Sequence, residues 1–142
     1  MKTPIVGDTN VVVAGIIGGV AASPVYRILD GMLSAAFPFL LSVELLDEYR
    51  RVLLRPAISK LHALSERRID IVLTELTVNG VIRELVSGTE EGVPDPGDAH
   101  LWRLLRTSPG AILVTGNRAL LANPPDFVSC ITPRAFLALL DA

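Results

Sequence analysis

Short apolar runs alternate along this chain with stretches whose apolar residues recur at helical spacing. Pro4-Ile5-Val6-Gly7-Asp8 is an apolar run closed by an acid, and it predicts a first strand buried on both faces. Gly18-Gly19 and Ser23-Pro24 mark a turn, with Ser23 as a helix cap and Pro24 in the first helical position. Val25, Ile28, Leu29 and Met32 then carry one face of a helix, and Phe37 to Leu41 is a second apolar strand. Ser42 opens a helix with Leu45, Leu46, Tyr49, Val52 and Leu53 on a single stripe, which Arg55-Pro56 ends or kinks.

The second half repeats the alternation. A helix is expected from about Ser65 to Thr77, broken by Asn79-Gly80, followed by a third strand over Val81 to Val86. Ser87 to Gly97 is polar and reads as a loop. A helix follows from about Asp98 to Arg106, then a fourth strand, Ala111 to Thr115. Asn117 to Leu121 predicts a short helix, Asn123 to Asp126 a turn, and Val128 to Ile131 a fifth strand. Thr132-Pro133 caps a last helix ending at Leu140. Strands alternating with helices imply an α/β fold: one domain over residues 1–142, three layers (α/β/α) around a five-stranded, mainly parallel sheet. No internal repeat or low-complexity tract interrupts it.

Composition narrows the functional classes. Half of the 142 residues are apolar and 20% are charged, which argues for a folded domain. The net charge of -2 gives no global basic field, so a nucleic-acid substrate has to be argued from a site. The single cysteine, Cys130, excludes a disulfide framework and a thiolate zinc cluster. The start of the chain makes a poor secretory signal, and the apolar stretch Val11 to Ala22 is too short to span a bilayer. These features read as a soluble, cytoplasmic protein without a membrane partner.

Ligands of open parallel sheets bind beyond the carboxyl ends of the strands. Asp8, Glu44, Asp98 and Asn117 follow the first four strands in turn and so fall on that edge. Carboxylates held together repel unless they are protonated or bridged by a cation, and their hard oxygens suit Mg²⁺ or Mn²⁺. Asp8 ends a buried strand, where an acid needs a partner. Asp98 shares the face of Leu101, Trp102 and Leu105, which capping alone does not explain. Glu44 lies off its apolar stripe, and the helix dipole already accounts for an acid in a first turn. Asp95 reads as a turn residue, and Asp47 and Glu48 are expected to face solvent. His62 and His100 lack metal-ligand spacing, and His100 should point away from Asp98. No P-loop, G-x-S-x-G or G-x-G-x-x-G motif is present. The basic residues between the second and third strands, Arg50, Arg51, Arg55, Lys60, Arg67 and Arg68, suit a solvated helix surface or a phosphate-contacting patch.

Val6-Gly7-Asp8-Thr9-Asn10-Val11 resembles the opening of PIN-domain proteins. Leu41 to Glu48, Asp95 to Leu101, Leu113 to Leu121 and Ile131 to Leu137 are similar to their later motifs, in order. The nearest resemblance is to prokaryotic PIN proteins assigned as toxins of toxin–antitoxin systems. That resemblance implies a metal-dependent ribonuclease. Asp8, Glu44 and Asp98 would be catalytic and would hold Mg²⁺ or Mn²⁺, directly or through water, to activate a water and stabilise charge on the attacked phosphate. Asn10 would orient Asp8, and Thr115 would touch the site's edge. The implied partners are RNA, a cognate antitoxin and a second copy of the chain. Asn117 departs from the family, which commonly has aspartate there. As a fourth ligand it brings oxygen but no charge. Asp126, beyond Pro124-Pro125, is a less suitable replacement than a site with three acids. The amide leaves open a degenerate PIN module that binds RNA or protein without cutting. A strand-end aspartyl phosphotransferase is disfavoured by Asn10, where a second acid is wanted.

Overall fold

The computed structural model describes residues 3–18, 23–85 and 96–142. In chain order the elements are β1 (Ile5–Gly7), α1 (Thr9–Ile17), α2 (Pro24–Leu33), β2 (Leu40–Leu41), α3 (Val43–Leu53), α4 (Pro56–His62), α5 (Glu66–Asn79) and β3 (Val81–Ile82). A 3₁₀ turn (Pro96–Asp98) then leads into α6 (Ala99–Arg106), β4 (Ile112–Val114), α7 (Arg118–Ala122), β5 (Ser129–Ile131) and α8 (Pro133–Leu140).

All strand pairing is parallel, as the alternation of strands and helices requires. The single five-stranded sheet expected from the sequence is replaced by two sheets. One has the order β1-β4-β5 and the other pairs β2 with β3. A lone bridge, Ile5 to Phe39, joins them, with the Ile5 N–H donating to Pro38 O at 3.1 Å. Pro38 lacks an N–H on the amino side of this bridge, so the pairing cannot run further toward the strand starts. The strands are also shorter than expected: the second is regular only at Leu40–Leu41 and the third only at Val81–Ile82. Val86, the expected end of the third strand, and the predicted loop from Ser87 through Asp95 lie outside the described residues.

Serine and threonine caps set where the helices begin. Ser42 Oγ accepts from the Leu45 N–H, Ser65 Oγ from Arg68 and Thr132 Oγ1 from Ala135. Two helices were not anticipated. α1 is apolar on nearly every side, because Val11, Val12, Val13 and Gly15 are all buried, so it has no amphipathic pattern to read. Its packing depends on Gly15: a Cβ there would meet Val25 O at 2.8 Å and Leu29 Cβ at 2.9 Å. α4 is a short helix created by Pro56, which stops α3 and then occupies the first turn of the next helix.

The core joins β1, β2 and β4 to one face of each long helix. Ile5, Val6, Phe39, Leu41, Leu45, Tyr49, Trp102, Leu113 and Phe136 are among its fully buried members. Tyr49 is the contact that matters most for the site. Its hydroxyl donates to Gly7 O at 2.5 Å, tying α3 to the carboxyl end of β1.

Candidate active site

Asp8 follows β1, and its own N–H still donates to Val114 O at 2.9 Å, so its backbone is held in the sheet. One carboxylate oxygen, Oδ1, accepts from the Thr9 N–H at 2.8 Å and caps α1. The other, Oδ2, accepts from Thr115 Oγ1 at 2.7 Å and from Asn10 Nδ2 at 3.2 Å. Thr115 is buried at the end of β4, the strand paired with β1. Asn10 also uses its Oδ1 to accept from the Gly116 N–H at 2.9 Å, which binds the ends of the two strands together. Asn10 and Thr115 therefore both fix the orientation of Asp8. Burial pushes the Asp8 carboxyl above its ordinary value. The bonds from Thr115, Thr9 and Asn10 oppose that rise, and the charge of Glu48 adds to it.

The acid facing Asp8 is Glu48, not Glu44. Glu48 Oε2 accepts from Thr9 Oγ1, the hydroxyl of the residue after Asp8. Its Oε1 lies 3.5 Å from His100 Nε2 and 3.9 Å from Arg51. The bond from His100 is the largest cause holding Glu48 below the usual carboxylate range, against the opposing effect of burial. Glu44 is exposed in the first turn of α3 and does not line the cleft. The reason is helical geometry. With about 100° per residue, Leu45, Tyr49, Val52 and Leu53 define the buried arc of α3. Glu48 stands roughly 90° from the middle of that arc, near its border, whereas Glu44 is about 40° further round and one turn closer to the helix start. Glu48 was expected in solvent, yet its side chain is only 20% exposed.

A cleft of about 470 Å³ opens beside these acids. Asp8, Thr9, Asn10, Glu48, Asp98 and Asn117 line one end of it. Asp98 reaches it from the start of α6, so the structure brings Asp8 and Asp98 to one cleft as their positions implied. Asn117 also reaches it, but its oxygen is occupied: Oδ1 accepts from the Ala119 and Leu120 N–H groups at 3.0 and 3.3 Å and caps α7. As a fourth ligand Asn117 would have to give up that cap. The sequence reading missed Glu48, Thr9 and His100. No local pattern separates Glu48 from Glu44; Glu48, Thr9 and His100 became visible together only once α1 and α6 were placed against α3.

Among the described residues, no three His, Cys, Asp or Glu side chains converge as a ready-made cation cage. Mg²⁺ does not need one, because it keeps several waters and is held by one or two carboxylates. Asp8 accepts three hydrogen bonds on the roughly four lone-pair sites of a carboxylate. One site is left over for a cation. The donor set fits a hydrated Mg²⁺ or Mn²⁺, which Asp8, Glu48 and Asp98 would hold from the walls of this cleft.

The fold is an α/β domain with an acid-lined cleft, and the family to which it belongs is of nuclease type in general. A family model for the PIN domain matches residues 4–119, and the chain belongs to that family. The matched stretch includes Asp8, Glu48, Asp98 and Asn117. No curated protein and no solved structure matches the chain. Among the described residues, no helix is long and apolar enough to cross a membrane.

Proposed function

We propose that this PIN domain is a divalent-metal-dependent endoribonuclease and the toxin of a toxin–antitoxin pair. The observation that carries the nuclease reading is the Asp8–Glu48 pair, bridged by Thr9, in a cleft that Asp98 also lines. Two acids held this close, one of them with a raised pKa, form a site that a cation relaxes. A bound Mg²⁺ or Mn²⁺ supplies an activated water and neutralises charge on the phosphate. Asp8 and Glu48 would hold the ion, and Asp98, on the same cleft wall, would support them. Thr115 and Asn10 keep Asp8 from rotating away, which favours attack from one direction. The toxin role, a cognate antitoxin, a homodimer and a cytoplasmic setting rest on the resemblance of the motifs to prokaryotic PIN toxins. The decisive experiment incubates purified protein with single-stranded RNA in Mg²⁺ or Mn²⁺. Cutting by the native chain and none by Asp8→Asn or Glu48→Gln supports the proposal. Equal cutting by all three rejects the mechanism.

A non-catalytic PIN module is the second reading. It is favoured by the commitment of the Asn117 oxygen to the α7 cap. Calorimetry that detects no Mg²⁺ or Mn²⁺ binding would support it, while metal binding together with cleavage would exclude it.

A further inference from the structure

Along α1 the cleft lining passes from Thr9 and Asn10 to Val13, Ala14 and Ile17, and along α3 from Glu48 to Val52, so the acids gather toward one end of the cleft and apolar residues toward the other. Ile58 of α4 adds to the apolar lining. These side chains offer no hydrogen bonds, so the group they suit has an apolar face. Arg55 sits on the rim of the same cleft.

Its position follows from Pro56. The residue before a proline is pushed out of the helical region, and Arg55 accordingly has φ −60° and ψ 135°. α3 therefore ends and α4 begins with Arg55 at the corner between Val52 and Ile58. The neighbouring arginines are engaged. Arg50 pairs with Asp70 and Glu66, and Arg51 lies near Glu48. Arg55 forms no ion pair among the described residues. It faces both the cleft and the groove that holds Arg50 and Arg51.

We propose that Arg55 is a substrate-positioning residue that grips the phosphate adjoining the one being cut, with the intervening nucleoside lying on the apolar wall. This rests on the nuclease reading and gives it a direction: RNA runs from the acids, across α1, to the corner between α3 and α4. A cleft of about 470 Å³ is at the scale of a small ligand, in keeping with one nucleotide. A base laid on an apolar wall must be unstacked, so the substrate is single-stranded. A guanidinium on the rim can form two parallel bonds to a phosphate, which a lysine cannot.

The test uses the full chain, a fluorescent RNA decamer, and a series of the same decamer carrying one methylphosphonate, moved a step at a time to remove a single phosphate charge. Anisotropy is read in EDTA, and cleavage in Mg²⁺. Arg55→Ala should weaken binding about tenfold. It should also lower the slope of log affinity against log salt by about 0.7, the loss of one phosphate contact on a single strand. In cleavage, KM should rise with kcat little changed, and Arg55→Lys should restore part of the binding. One methylphosphonate position, next to the scissile phosphate, should weaken the native chain but not Arg55→Ala. If the native chain cuts RNA and Arg55→Ala binds and cuts equally well, the inference falls and the nuclease reading stands. If binding depends on Arg55 but nothing is cut, Arg55 is a phosphate contact of a non-catalytic module, and the nuclease reading falls together with the placement beside a scissile phosphate. If the native chain neither binds nor cuts single-stranded RNA, both fall.

Discussion

Exchanging Glu48 and Glu44 for glutamine, one at a time, separates the two acids of α3. Glu48→Gln keeps the shape and removes the charge that bonds to Thr9 and faces Asp8. Glu44→Gln removes an exposed first-turn charge, so its expected cost is only the dipole contribution of roughly 0.3–1 kcal/mol. Metal binding can be read without activity, through thermal unfolding. An ion present at about 100 times its Kd stabilises the folded state by about 2.7 kcal/mol. For a domain of this size, about 3 °C per kcal/mol turns that into a rise of about 8 °C. The native chain and Glu44→Gln should both show that rise on titration with Mn²⁺, and both should cut RNA. Glu48→Gln should show almost none of it, and its cleavage should fall by at least about 100-fold. In the absence of metal, Glu48→Gln should also bring the Asp8 carboxyl back toward its ordinary value, because a like charge is gone. Loss of the metal response in Glu44→Gln with full response in Glu48→Gln would refute the assignment of Glu48.

Further outcomes follow from the same geometry. Thr115→Val removes a bond to a partly buried carboxylate at nearly constant volume and should cost about 1.5–3 kcal/mol in urea unfolding at neutral pH. Asn117→Ala should cost about 1 kcal/mol through the lost α7 cap. Asn117→Asp should keep the cap and bind Mn²⁺ more tightly by calorimetry, and weaker binding would show that the position stands away from the ion. Asp8 makes the pH response two-sided. Its folded pKa lies above the ordinary 3.8, so between the two values the unfolded chain holds fewer protons. In metal-free protein this group's contribution to stability is therefore full below the unfolded value and is lost as pH rises through the folded one. Protons compete with the ion for this carboxylate, so the Mn²⁺ affinity read from the melting temperature should weaken steadily as pH falls through the raised pKa. A Mn²⁺ affinity that does not change with pH across that fall would contradict a role for Asp8.

The sequence revealed those parts of the fold that depend on local chemistry. Ser42, Ser65 and Thr132 cap helices because a serine or threonine before an apolar stripe can do little else there. Asp8 could be picked out because an acid closing a buried strand needs a partner, and the roles of Asn10 and Thr115 came from the family resemblance of the stretches Val6 to Val11 and Leu113 to Leu121. What was hidden depends on contacts between elements. α1 is buried on almost every side and so has no stripe. The two sheets meet at the bridge between Ile5 and Phe39, which are far apart in the chain. Glu44 and Glu48 share one surface of α3 and differ by about 40° of rotation, too little for a hydrophobic pattern to separate. Only the placement of Thr9 and His100 decides between them.

The bond from the Gly116 N–H to Asn10 has a practical meaning. Gly116 is exposed at a strand end, where an amide proton would ordinarily exchange quickly with water. Here that proton is held by the same side chain that steadies Asp8. Its exchange rate is thus a clock for the opening of the site, readable in a protein that carries no metal and cuts nothing. An Asp8 variant that has merely lost its carboxylate should leave the clock slow. One that has let the two strand ends drift apart should run it fast.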